Sequence, residues 1–325
     1  MTGPARYLSA AAAAILPLAV LLYAGGLRAQ ETTATDVAQP VLLAQAAPGA
    51  AVGTKVCLGC HNNAPVNLIM HRPHGQTADS RTPFAKDGCE TCHGPGGEHA
   101  KNPSVAVPIN FGPKSATPAA KQNEVCLTCH QGGLRINWQA SPHATADRTC
   151  NGCHDVHAAK DRVLARASQP DVCFGCHTQQ RADSKKRSHH PIQEGKVVCS
   201  DCHSPHGAFG PSQLKQNTVN ETCYQCHAEK RGPFLWEHAP VVDNCANCHM
   251  PHGSAQPRML KTRVPMLCQQ CHNPGGHPSR LYDGQYLPNT GSTSSSVARL
   301  AGKSCMNCHP QVHGSNHPSG VRLRQ

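Results

Sequence analysis

Cys57-Leu58-Gly59-Cys60-His61 is the first of ten Cys-x-x-Cys-His pentapeptides in this chain. The others begin at Cys89, Cys126, Cys150, Cys173, Cys199, Cys223, Cys245, Cys268 and Cys305. Their second cysteines are Cys92, Cys129, Cys153, Cys176, Cys202, Cys226, Cys248, Cys271 and Cys308, so the ten motifs use all 20 cysteines. They close on His61, His93, His130, His154, His177, His203, His227, His249, His272 and His309. This is the c-type haem attachment pattern. Two thiols three positions apart reach the two vinyl groups of one macrocycle, and the next imidazole turns back onto the iron as proximal ligand. Ten covalent c-type haems are expected.

Cys-x-x-Cys also builds zinc sites and redox motifs. Histidine is 23 of 325 residues, so chance would place it after about one Cys-x-x-Cys in fourteen, yet it follows all ten. Zinc ribbons need no such rule, and a disulfide framework fits the even cysteine count but not the fixed spacing.

Composition agrees with a core made of cofactor. Leu, Ile, Val and Phe number 21, 5, 21 and 5, or 16% of the chain, and the net charge is +11, a combination that otherwise marks disorder. Haems resolve the conflict because each is a large apolar disc tied to two cysteines and an imidazole. The 30 Lys plus Arg against 19 Asp plus Glu then read as counter-charge to haem propionates rather than as a nucleic-acid surface.

Residues 1–29 read as a secretory signal peptide, with Arg6 in the n-region, an apolar stretch from Leu8 to Leu22 and Ala29 at the cleavage site. Residues 30–51 read as a flexible leader and 52–325 as one decahaem domain. Alternate motifs begin at 126, 173, 223 and 268, spaced by 47, 50 and 45 residues, so the repeat holds two haems. Five diheme units follow, near 57–125, 126–172, 173–222, 223–267 and 268–325. The expected fold is a multihaem cytochrome c: short α-helices at the motifs, loops between them, little or no sheet, and an elongated array with haems as the core. Stretches 100–124 and 284–297 read as surface loops.

Thirteen histidines lie outside the motifs. One set falls three to six residues after the second motif of each unit: His99, His157, His206, His252 and His313. The other falls between the two motifs: His74 or His71, His143, His190 or His189, His238, and His277. Recurrence at matched places marks these as ten distal iron ligands, with His74 and His190 favoured in their pairs. Cys199-Ser-Asp-Cys202-His203-Ser-Pro-His206-Gly207 and Cys245-Ala-Asn-Cys248-His249-Met-Pro-His252-Gly253 match closely, and Cys150-Asn-Gly-Cys153-His154-Asp-Val-His157 is a looser copy. Two imidazoles per iron leave no open position, which points to outer-sphere electron transfer and not to catalysis. At the ~10 Å pitch of packed layers, ten haems in file reach on the order of 90 Å, against a ~30 Å hydrocarbon core. A chain this polar would cross only inside a protein sheath such as a closed β-barrel.

Several longer strings are more specific: Gly-Pro-Gly-Gly-Glu-His after Cys92-His93, Cys223-Tyr-Gln-Cys-His-Ala-Glu-Lys-Arg-Gly-Pro, Trp236-Glu-His238-Ala-Pro, Leu267-Cys-Gln-Gln-Cys271-His272, and Val312-His313-Gly-Ser-Asn-His317-Pro-Ser-Gly. In these the chain resembles the periplasmic decahaem cytochrome family of MtrA over nearly everything after the leader. The resemblance implies bis-histidine haems in a wire held in an outer-membrane β-barrel porin of the MtrB type. Its implied partners are periplasmic or inner-membrane electron carriers on one side and an extracellular multihaem cytochrome or an iron mineral on the other. Two other readings stay open: a multihaem oxidoreductase of the nitrite or hydroxylamine type with one open haem, and a diffusing periplasmic electron store.

Overall fold

The computed structural model describes residues 49–272, 304–318 and 320–324. The signal peptide, most of the leader, His277 and the 284–297 stretch lie outside these residues. The chain divides into Met1–Gln45 and Ala46–Gln325, and everything below concerns the second unit.

All ten motifs adopt one turn. The amide of the closing histidine donates to the carbonyl of the leading cysteine at 2.8–3.1 Å in every copy, a helical i+4 bond that puts both thiols and the imidazole on adjacent faces. The first motif of each unit lies at the end of a short helix: Thr54–Leu58, Ala119–Leu127, Gln169–Phe174, Val219–Tyr224 and Val264–Gln269. The second motif forms its own single turn, α-helical at Glu90–His93 and Cys199–Cys202 and 3₁₀ at Cys150–Gly152, Cys245–Asn247 and Cys305–Asn307. Loops join them. Among the described residues the strand content is four isolated bridges, so the expected short helices joined by loops, with little or no sheet, are what is observed. One boundary differs: the 100–124 stretch is not loop throughout, because Pro118 opens a helix from Ala119 and Ala119-Ala-Lys-Gln122 favours that state.

The two motifs of each unit bring their leading thiols close enough to perturb one another: Cys57 and Cys89, Cys126 and Cys150, Cys173 and Cys199, Cys223 and Cys245, and Cys268 and Cys305. Side chains that the sequence reading missed hold these pairs together. Buried Asn123 accepts from the Cys150 amide at 2.7 Å and donates to the Arg148 carbonyl at 2.9 Å. Asn220 accepts from the Cys245 amide at 2.7 Å and donates to the Val241 and Val242 carbonyls. Gln169, one position further from its motif, uses its longer arm to accept from the Ser200 amide at 2.9 Å. The signal was present as Asn123-Glu-Val-Cys126 and Asn220-Glu-Thr-Cys223.

Asn220→Ala strands a buried amide and carbonyls at about 1–3 kcal/mol each. The holoprotein is expected to unfold at lower temperature, and Gln restores part of the loss if its longer arm reaches the same amide; thermal unfolding followed at the Soret band measures both.

Glu90 ties the start of the described chain to the second motif. Its carboxylate accepts from the amides of Val52, Gly53 and Gly96 at 2.8–3.0 Å. Burial opposes its ionisation, but the amides of Gly96, Gly53 and Val52 outweigh burial and hold its pKa below the ordinary 4.5. The folded value is depressed, so this stabilisation is complete above that ordinary value and is lost as pH falls through the folded one. Proteolysis near residues 49–56 should therefore accelerate in acid, and Glu90→Gln should flatten that dependence.

Ile69, Trp138, Val198 and Leu260 are the buried apolar side chains among the described residues, against twelve buried polar ones. Side chains alone do not make this core.

Candidate haem sites

Nine motif imidazoles face a second imidazole at nearly one distance, 5.9–6.4 Å. The ring centroids are 6.1 Å apart for His61 and His99, 6.4 Å for His93 and His157, and 5.9 Å for His130 and His74. They are 6.0 Å apart for His154 and His206, for His177 and His143, and for His203 and His252. His227 and His190 stand 6.3 Å apart, His272 and His238 6.1 Å, and His249 and His313 6.2 Å. The interplanar angles meanwhile range from 13° to 90°. Constant separation with free rotation is what a single atom between two nitrogens imposes. Two metal–nitrogen bonds of about 2 Å plus a ring radius of about 1 Å at each end give about 6 Å. Nine of the ten distal candidates are thus brought opposite a motif histidine; His277 is outside the described residues. Among those residues no three His, Cys, Asp or Glu side chains converge as zinc would require.

The other ring nitrogen is committed in half of these histidines and in His309. Nδ1 meets a backbone carbonyl in His93 (Ile109, 3.0 Å), His203 (Ser212, 2.9 Å), His249 (Arg258, 2.9 Å) and His309 (Arg322, 2.5 Å). In His154 it meets the Asp161 carboxylate at 2.7 Å. Among distal candidates, His99, His143, His157, His190 and His238 bond the carbonyls of Val105, Pro205, Val66, Pro251 and Val312 at 2.7–3.1 Å. A proton on Nδ1 leaves the Nε2 lone pair for iron. Burial, more than neighbouring charge, holds His74, His93, His130, His206, His252 and His313 below the usual imidazole pKa, which keeps them neutral as ligation requires. The structure also separates the two ambiguous pairs. His71 is exposed while His74 faces His130, and His189 turns Nδ1 to Lys186 and Nε2 to Glu194 while His190 faces His227.

The pairing crosses the sequence repeat. At each boundary one unit gives its inter-motif histidine to the first motif of the next, and receives that unit's post-motif histidine at its own second motif. His190 thus faces His227 while His252 faces His203; His74 with His157, His143 with His206, and His238 with His313 repeat the exchange. In the first unit, His99 faces His61 of its own unit.

The two donors of an exchange are held together. His143, His190 and His238 bond the carbonyl just before His206, His252 and His313. Bridges Ser188–Ser254 and Trp236–Ser315 lie two residues to the side. Gly253 and Gly314, immediately after the distal histidines, have φ of 144° and 135° and lie where a Cβ would strike the Asp183 carbonyl and the Phe234 ring. That explains the glycine after His252 and His313: it lets one unit press onto the one before it.

Gly253→Ala should displace His252 and His190 together and turn about two of the ten low-spin irons partly high-spin, as read by EPR. Gly195→Ala is the control: it has φ 69° with open space around it and carries only local strain of about 1–3 kcal/mol.

The thiols of successive motifs also perturb one another. Burial pushes the Cys92 thiol up to about 11, with Cys126 and Cys129 adding to it. Cys153 is likewise raised by burial and then by Cys176, Cys202 by burial and by Asp201 with Cys223 and Cys226, and Cys248 by burial with Cys271 close by. Each motif is therefore within electrostatic reach of the following one.

Repeated turns bearing two thiols and an imidazole, each with a second imidazole across from the first, define a multihaem c-type cytochrome. Residues 189–232 and 238–277 match the doubled CXXCH motif family, and residues 89–169 match the cytochrome c-type protein NrfB-like family. The chain is 51% identical over 274 residues to the multiheme cytochrome MtrA of Shewanella baltica (strain OS185), covering 84% of this chain and 81% of that protein. The chain belongs to the MtrA family of multihaem cytochromes, which carry electrons and are not enzymes.

Proposed function

We propose that the protein is a ten-haem conductor whose irons are all closed by two imidazoles. Each of the 20 motif cysteines forms a thioether, and each motif histidine is a proximal ligand. The distal ligands are His99, His157, His74, His206, His143, His252, His190, His313 and His238 for motifs one to nine. His277 is assigned to His309, the inter-motif candidate and the motif histidine that the nine pairs leave over. The observation that carries this reading is the fixed separation of nine imidazole pairs at every rotation angle.

Bound haem supplies a one-electron Fe(III)/Fe(II) couple of fairly low potential, since His/His ligation lacks the raising effect of methionine. The chain's own residues hold the sites in file, exclude substrate from the iron and fix each imidazole tautomer. Five diheme units so joined make a wire rather than five separate carriers. We place it in the periplasm, inserted in an outer-membrane β-barrel, passing electrons between periplasmic carriers and an extracellular cytochrome or iron. No described helix is long and apolar enough to cross a membrane, and a polar chain of this kind needs a sheath.

The test is liposomes carrying the holoprotein with its co-expressed barrel and enclosing an oxidised dye. External dithionite should bleach the dye only when both proteins are present. Bleaching with the barrel alone, or none with both, would contradict the wire.

A further inference from the structure

The five second-motif histidines are alike except in one atom. His93, His203, His249 and His309 have Nδ1 on neutral backbone carbonyls, whereas His154 has it on the carboxylate Oδ2 of Asp161 at 2.7 Å. The chain explains the exception. In units three and four the loop after the motif runs nine residues to Ser212 and Arg258, both with positive φ of 52° and 58°, which swings their carbonyls onto the imidazole. In the looser copy, Asp161 stands four residues after His157, where the other loops have Gly210 and Gln256. Its side chain takes the place of the missing carbonyl.

This is a built contact. The Asp161 side chain is 9% exposed, its Oδ1 accepts from the Val163 amide at 3.2 Å, and no Lys or Arg bridges it among the described ion pairs. A buried, charged acceptor on Nδ1–H makes the imidazole a more basic ligand and sets a negative charge behind the iron. Both favour Fe(III).

We propose that Asp161 is a positioning residue that sets the potential of the haem attached at Cys150 and Cys153, making it the hardest to reduce of the five second-motif haems. The step would be one electron: a neighbouring haem would be oxidised from Fe(II) to Fe(III) as the fourth is reduced from Fe(III) to Fe(II), with no bond made or broken. Among the second-motif haems, the fourth is then the least favourable resting place for an electron moving along the file.

The inference rests on His154 and His206 closing that iron, so the experiment separates the two. Full-length holoprotein carrying Asp161→Asn keeps an amide oxygen for the bond but loses the charge. Redox titration followed by low-temperature EPR should show one low-spin haem reduced more easily, its reduction equilibrium raised at least tenfold, or ~59 mV for one electron. Asp161→Glu should remain near wild type. A titration of Asp161→Asn superimposable on wild type, or a rise spread over several haems, would overturn the inference while leaving the ligation intact.

If Asp161→Asn loses haem, wild type still decides. The signal removed by His206→Ala should vanish at lower potential than those removed by His157→Ala, His252→Ala and His313→Ala, and any earlier place in that order overturns the inference. If His206→Ala removes no low-spin signal, the ligation reading itself has failed.

Discussion

Chain made without haem is expected to be unfolded. Expressed without its leader in a cytoplasm that lacks haem attachment, it should show a random-coil circular dichroism spectrum, poor amide dispersion by NMR and digestion by protease at loops and motifs alike. The reason is the absence of an alternative core. Ile69, Trp138, Val198 and Leu260 are buried, and each contributes about 1.5–3 kcal/mol. Fixing the backbone costs ~1–2 kcal/mol for every ordered residue, so four such side chains fall far short. Even the helices are too short to stand alone: the longest described, Ala119–Leu127, has nine residues, below the length at which isolated helices persist. A cooperative thermal transition in the haem-free chain would mean that the polypeptide has a core of its own.

The second large effect concerns the exchange of ligands between units. His206→Ala should open the iron of the fourth motif, and His252→Ala that of the sixth, each giving a high-spin signal of about one haem in ten. Carbon monoxide should bind that fraction and no more. The effect lies in the preceding unit, not the unit that was mutated: His206 follows the Cys199 motif but faces His154. Combining His206→Ala with Cys150→Ser and Cys153→Ser removes the fourth haem and should abolish the new high-spin signal. If that signal survives in the triple variant, His206 serves some other iron.

The parts of this account that were legible in the sequence are those written in local spacing. Cys-x-x-Cys-His fixes one turn, and the structure repeats it ten times with nearly one hydrogen-bond length. The distal histidines were visible as two recurring classes, and Pro-His-Gly singled out His206 and His252. Their partners were not visible, because each exchange joins residues tens of positions apart: His143 faces His177 and His313 faces His249. A repeat read along the chain looks self-contained, while the same repeat in space lends a ligand in each direction. The choice of His74 over His71 had support from the glycine that follows, but its physical reason is different. Gly75 lies against the Ile69 carbonyl within its own loop, whereas Gly253 and Gly314 lie against the neighbouring unit. Asn123, Asn220 and Asp161 were passed over because a polar residue beside a haem motif reads as surface until its burial is known.

Low-temperature EPR of the oxidised, purified holoprotein, with haem counted by intact mass, tests the central claim most directly. The account requires ten haems, all low-spin with bis-imidazole character and unchanged by nitrite or carbon monoxide. A mass short of ten haems, or a high-spin fraction near one tenth that binds either ligand, would contradict a closed conductor.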